Sequence, residues 1–219
     1  DLHRLGFARK LVVESSLPMA EIADASGFGS LRRFNDAFRK RFGRPPSALR
    51  MPASRKPGPS DPRDGIEISL AYRPPYAWEP IHRFFARHPV GALESTADGK
   101  FTRVFRIGTA TGAFVVDPES RSTSSRSLRL RIHSDDPKVL FEVSRRVRKM
   151  FDLDSDPLRI ESHFGDFPLL DRLVRTRPGL RLPRGFDGFE TGVSTILGQL
   201  VSSKRASVLL STLIENYGE

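Results

Sequence analysis

Residues 51–65, MPASRKPGPSDPRDG, hold four prolines and two glycines and almost nothing apolar. Proline fixes φ and has no N–H to give a helix or a sheet, and this stretch has too few apolar side chains to join a core. It predicts a semi-extended linker. A 219-residue chain broken in this way builds its hydrophobic cores on either side of the break.

Before the linker the pattern is helical. Leu5, Ala8, Leu11 and Val12 recur at spacings of three and four, a single apolar stripe. Pro18 opens a second helix that contains Ala20, Ile22 and Ala23. Gly27 interrupts it, and Ser30 is placed to cap a third helix with Phe34, Ala37 and Phe38 on one face. Gly43 ends that helix, and Pro45-Pro46 begin a short final turn.

After the linker the pattern changes. Ile66, Ile68 and Leu70 alternate as a strand, and Trp78 to Ala86 suits a helix. Phe101 to Ile107, Ala113 to Val116 and Leu128 to Ile132 read as further strands, divided by Gly or by the Ser-rich stretch 120–127. Asp136 to Phe151 is an amphipathic helix with Val139, Leu140, Val143, Val147 and Met150 inward. Strands in succession with few helices predict an antiparallel sheet. Residues 152–219 turn helical again: Leu169, Leu170, Leu173 and Val174 form one stripe, and Phe186 to Leu200 and Ala206 to Tyr217 form two more helices. The expected organisation is therefore α+β: an all-α segment 1–50, a linker 51–65, an antiparallel-sheet domain 66–151 and the start of a helical domain 152–219.

Composition narrows the chemistry. The 36 Lys and Arg against 26 Asp and Glu give a formal charge of +10, which suits either a polyanionic partner such as nucleic acid or a solvated basic surface. Without cysteine, disulfides, zinc–thiolate sites and thiol nucleophiles are excluded. The five histidines, at 3, 82, 88, 133 and 163, have no metal spacing, and no Gly-rich phosphate loop occurs. No metal or cofactor is expected. No signal peptide is evident and no apolar run approaches the ~18 residues of a membrane span, so the expected setting is cytoplasmic and not membrane-bound. The chain starts at Asp1 without Met and stops at Glu219 without a polar tail; it reads as a piece cut on both sides.

Two short helices around a glycine turn in 19–42 make either a helix-turn-helix or an αα-hairpin with a solvated basic face. Ser30 to Arg50 holds seven basic residues and one acidic one, as a recognition helix in the major groove would need, with flanking arginines on phosphates. The run A-R-K-L-V (8–12) followed by P-M-A-E-I-A-D-A-S-G-F-G-S-L-R-R-F-N-D-A-F-R-K-R-F-G-R-P-P-S (18–47) resembles the second half of an AraC-type DNA-binding domain, over residues 4–50. Phe34 and Phe38 meet the family's F-x-x-x-F-[RK] pattern; Leu49 stands where an aromatic is common. The resemblance makes 2–16 a linker helix between two helix-turn-helix units and implies DNA contact by Ser30, Leu31, Arg32, Arg33, Asn35 and Arg39.

Residues 66–219 carry a second resemblance. Y-R-P-P-Y-A-W (72–78) and R-P-G-L-R-L-P-R-G-F-D-G-F-E-T-G-V-S-T-I-L-G-Q-L-V-S (177–202) are similar to the AlkA type of bacterial DNA-3-methyladenine glycosylase. Enzymes that act on a base must extract it from the stack, and an apolar wedge can fill the gap. By pattern alone Leu200 reads as a core side chain; the resemblance makes it the wedge, with Gln199 beside it for the opposite base. Phe84 matches an aromatic that lines the lesion pocket, or else belongs to the core of its helix; Tyr72, Tyr76 and Trp78 are packing residues. The family's hairpin motif and catalytic Asp have no counterpart here. Asp187 and Glu190 match non-catalytic positions and suit a helix start, so no catalytic residue is assigned and the Asp is expected beyond Glu219. The implied function is removal of alkylated bases by flipping and N-glycosidic hydrolysis, coupled to an operator-binding domain, in a monomer acting on double-stranded DNA. The competing reading is an AraC-type regulator of the alkylation response whose glycosylase-like part only binds DNA.

Overall fold

The structure, a computed structural model, describes residues 2–50, 65–118 and 126–218. The expected linker, apart from Gly65, and most of the Ser-rich stretch 120–127 lie outside the described residues. Elements follow in the order α1 (Leu2–Glu14), α2 (Met19–Ala25), α3 (Leu31–Phe42), β1 (Ile66–Ala71), α4 (Trp78–Arg87), β2 (Glu94–Ser95), β3 (Phe101–Ile107), β4 (Ala110–Pro118), β5 (Ser127–Ser134), α5 (Val139–Met150), α6 (Pro157–Phe164), α7 (Pro168–Thr176), α8 (Gly188–Gly198) and α9 (Ser203–Tyr217). The strands form one five-stranded antiparallel sheet in the order β1-β5-β4-β3-β2, as the α+β reading expects.

The contacts fall into two compact units. The first comprises 1–68, 104–114 and 129–145. In its helical part the stripe Leu5, Ala8, Leu11 and Val12 is buried, as are Ile22, Ala23, Phe34 and Phe38. The expected caps form: the Ser30 hydroxyl accepts the Arg33 N–H at 3.3 Å, and Gly43 closes α3 in the left-handed region. A 3-10 turn, Pro46–Leu49, follows. In the sheet part of this unit Phe105 and Phe114 pack 6.2 Å apart, and Glu67 pairs with Arg129 and Arg131.

The second unit comprises 69–103, 115–128 and 146–219. Its core is aromatic. Phe151 stacks on Trp78 at 5.7 Å and packs against Phe85 at 5.2 Å and Phe101 at 5.5 Å; such rings combine large apolar area with preferred geometries. All five expected inward residues of α5 are buried, Val139, Leu140 and Val143 in the first unit and Val147 and Met150 in the second. Three features differ from the sequence expectation. β2 has two residues, too few to show a period, and α6 is a helix the pattern did not reveal. The α7 stripe forms, but Leu169 and Leu173 stand exposed, because no described element covers that face.

Candidate nucleic-acid interface

The helix-turn-helix is held by aromatic rings and one arginine. Phe28, Phe34, Phe38 and Phe42 form a continuous row with centroids 4.6–5.5 Å apart. The Arg4 guanidinium lies 4.7 Å from the Phe28 ring centre, and its Nε donates to the Ser26 carbonyl at 2.9 Å, tying α1 to the turn. Gly27 sits there at φ 72, which suits glycine because a side chain in the left-handed region meets its own backbone. With Phe34 and Phe38 inward, Leu31, Arg32, Arg33 and Arg39 are exposed and Asn35 is half-buried. At 3.6 residues per turn, Leu31, Arg32, Asn35 and Arg39 fall within about 100° of arc, with Arg33 further round. Arg50 is occupied structurally: its guanidinium bonds the Leu17 carbonyl.

In the second unit a buried arginine organises the start of α8. Arg103 lies opposite Glu94 in the β2–β3 register. Its guanidinium, 1% exposed, pairs with the carboxylates of Glu94 and Glu190. Phe186 fills the next layer, with the guanidinium of Arg103 5.0 Å from its centre and that of Arg146 at 5.2 Å. Arg146 also pairs with Asp187 at 2.9 Å. Asp187 caps α8, accepting the N–H groups of Phe189 at 2.8 Å and Glu190 at 3.3 Å. Burial works to raise the Asp187 pKa, but these amides and Arg146 together hold it below the usual carboxylate value. Burial pushes the Glu94 carboxyl up, against the pull of Arg103. Both carboxylates near the Gly-Gln-Leu motif are thus engaged in placing α8.

The two stretches that carry the glycosylase resemblance meet in space. Arg181 is buried, and its guanidinium donates to the carbonyls of Arg73 and Pro75 on one side and Asp152 and Ser155 on the other, at 2.5–3.3 Å. It also lies 5.0 Å from the Tyr76 ring centre, while the Tyr76 hydroxyl donates to the Phe151 carbonyl at 3.0 Å. Burial drives the Tyr76 pKa up, so the phenol stays a donor. The packing roles expected of Tyr76 and Trp78 are therefore filled. Neither Arg103 nor Arg181 is singled out by the sequence patterns above. Arg103 was findable, since it shares a strand phase with Phe101 and Phe105 and so points to the buried side.

Beyond Asp187, α8 runs eleven residues to Gly198. Gln199 and Leu200 follow in the loop before α9, which Ser202 caps by accepting the Arg205 N–H at 3.3 Å. Leu200 is 95% exposed. Phe84 is 43% exposed, its ring 4.6 Å from that of His88, and its neighbour Phe85 takes the core position on α4. Among the described residues no group of three or more His, Asp or Glu could hold a metal ion, and no helix is long and apolar enough to cross a membrane.

Residues 67–187, more than half of the chain, match the AlkA N-terminal domain family. The chain belongs to the AlkA family. Residues 1–51 match a helix-turn-helix domain family. The chain is 32% identical over 216 residues to the probable bifunctional transcriptional activator/DNA repair enzyme AlkA of Mycobacterium tuberculosis, covering 98% of the chain and 42% of that protein. It is 32% identical over 151 residues to the DNA-3-methyladenine glycosylase 2 of Escherichia coli, covering 69% of the chain and 50% of the relative. In fold it resembles a 3-methyladenine DNA-glycosylase from Archaeoglobus fulgidus, with a TM-score of 0.56, 18% identity and coverage of 69% of this chain and 50% of that one. The chain spans about half the length of the relatives it matches.

Proposed function

We propose that the whole protein is a DNA repair glycosylase that flips alkylated bases such as 3-methyladenine from duplex DNA and hydrolyses their N-glycosidic bond, with an attached domain that binds operator-type sequences. The observation that carries this reading is Leu200, an apolar side chain standing free at the apex of the α8–α9 loop in a chain of the AlkA family. An exposed leucine costs solvation when the protein is free, and gains it when it enters the gap left by an extracted base. Gln199 contacts the opposite base, and Phe84 presents its ring to the flipped one. A cationic alkylpurine is drawn to such a ring. The glycosidic bond breaks with its electron pair going to the base, which leaves neutral, and water adds to the sugar carbon and gives up its proton.

Leu31, Arg32, Asn35 and Arg39 face the major groove from α3, Arg33 lies toward the phosphates, and Ser30 fixes the helix start. We assign the catalytic carboxylate to none of these 219 residues, since Asp187 and Glu190 are engaged in placing α8; the 219-residue chain by itself is expected to release no base. No cofactor enters the scheme, and the protein acts as a cytoplasmic, nucleoid-associated monomer on double-stranded DNA. The modules are 1–50, 66–151 and 152–219, with 51–65 as linker.

The test uses the full-length protein and a methylated duplex, with released base measured by chromatography. Wild type releases alkylpurine, and Leu200→Ala releases it more slowly, binds an abasic-analogue duplex less tightly and melts at the wild-type temperature. No release from wild type, or an unimpaired Leu200→Ala, overturns the reading.

A further inference from the structure

The geometry points to Arg103 and Glu190 as positioning residues: their ion pair fixes α8 against the β2–β3 hairpin and thereby holds the Gln199–Leu200 loop at the height from which it enters DNA. This inference rests on the wedge reading of Leu200 above.

Three ties converge on the first turn of α8, and further along the helix packs against α9. Arg103 grips Glu190 from β3, and Arg146 from α5 grips Asp187. Phe186, nine-tenths buried, is clasped between the two guanidiniums. By contrast the C-terminal half of α8 carries the exposed Ile196 and ends in the exposed Gln199 and Leu200. Eleven residues at 1.5 Å each make α8 about 16 Å long. A helix is stiff over that length, so a tilt at its anchored end is delivered as a displacement of the loop.

The two carboxylates on Arg103 divide the work. Glu94 is 3% exposed and sits across the strand pair, so it neutralises the buried guanidinium within the sheet. Glu190 is 33% exposed and belongs to another element. A guanidinium forks two ways with fixed planar geometry, which orients both partners rather than one. Glu94 is therefore the neutralising partner and Glu190 the positioning one.

Glu190→Gln separates positioning from folding, because it leaves the Arg103–Glu94 and Arg146–Asp187 pairs intact and removes only the charge by which Arg103 holds α8. The full-length protein is titrated onto two duplexes, one undamaged and one carrying a tetrahydrofuran abasic analogue beside 2-aminopurine, whose fluorescence rises on unstacking. Glu190→Gln is expected to reduce the ratio of abasic to undamaged affinity about tenfold, as coupling through a packed element allows, and to reduce the 2-aminopurine signal at saturation. Mere loss of folded protein lowers both affinities together and leaves their ratio unchanged. Glu190→Asp keeps the charge but shortens its reach, and is expected to fall between Glu190→Gln and wild type; it also serves if the Gln variant folds poorly. An unchanged ratio and signal in both variants, while Leu200→Ala lowers both, overturns the positioning role and leaves the wedge reading standing. If Leu200→Ala changes neither quantity, the wedge reading fails and the positioning role fails with it.

Discussion

The carbonyl of Gly179 accepts the N–H of Ala77 at 2.9 Å, which joins two segments about a hundred residues apart in the chain. Gly179 is at φ 75, and a Cβ there would lie 2.7 Å from the backbone carbon of Pro75 and the nitrogen of Tyr76. Neither atom is the end of a flexible side chain, so the clash cannot be relieved by a rotamer. Gly179→Ala is expected to cost roughly 2–4 kcal/mol, through left-handed strain and backbone overlap together. Thermal melting of the chain checks it; a loss under about 0.5 kcal/mol would show that the two segments separate easily.

Arg181 extends the same junction. Four carbonyls accept from its guanidinium, and a lysine offers three donors from a single point rather than a planar fork. Arg181→Lys is expected to lose about 1–3 kcal/mol, since some buried acceptors are left unmet. A melting temperature equal to wild type would show that water reaches those carbonyls.

These two residues show where sequence periodicity stops being informative. The α5 helix was legible because five apolar side chains recur with the helical period and all five are buried. The ends of α3 were legible because Ser30 and Gly43 have the chemistry that caps require. Gly179 and Arg181 lie in an irregular segment, where a residue's role is set by a partner distant in sequence. The apolar residues of α7 show a period, but period alone does not say what covers the face. At the candidate site the family motif supplied Leu200, while its exposure came only from the structure.

Asp187 gives a pH dependence of definite sign. Its pKa in the folded chain lies below the ordinary 3.8, so its stabilising contribution is fully present above that value and is lost as pH falls through the lower, folded one. Asparagine caps a helix about as well but carries no charge for Arg146. Wild type is therefore expected to be more stable than Asp187→Asn at neutral pH, with the difference shrinking below about pH 4. A stability difference independent of pH would show that the capping amides of Phe189 and Glu190 and the Arg146 guanidinium together do not favour the charged carboxylate.

Helix α3, read as the recognition helix, makes a prediction about salt. Replacing Arg32, Arg33 and Arg39 by Ala removes three exposed cations from α3. With Arg33 on a phosphate and Arg32 and Arg39 on base edges, affinity for the operator falls and the slope of log affinity against log salt drops in magnitude by roughly 1 for the full-length protein. Phe34 and Phe38 are untouched, so the helix itself should persist in circular dichroism. An unchanged slope and affinity would remove this helix from the interface.

Phe84 and Phe85 allow the pocket to be told from the core with two adjacent substitutions. Phe85 is buried against Phe101 and Phe151, so Phe85→Ala leaves a cavity and is expected to cost about 3–5 kcal/mol. Phe84 is exposed, with its ring against those of Phe85 and His88, so Phe84→Ala is expected to cost under about 1 kcal/mol. If its ring meets the flipped base, the loss falls on function and depends on charge. Excision of a cationic alkylpurine by the full-length protein should drop about tenfold more than excision of a neutral damaged base, as attraction of a cation to a ring face predicts. Phe84→Leu separates ring from bulk, because it keeps apolar volume and removes the π face. Should Phe84→Leu excise both bases at wild-type rates, the ring has no place in the pocket, and Phe84 is a surface residue resting on His88.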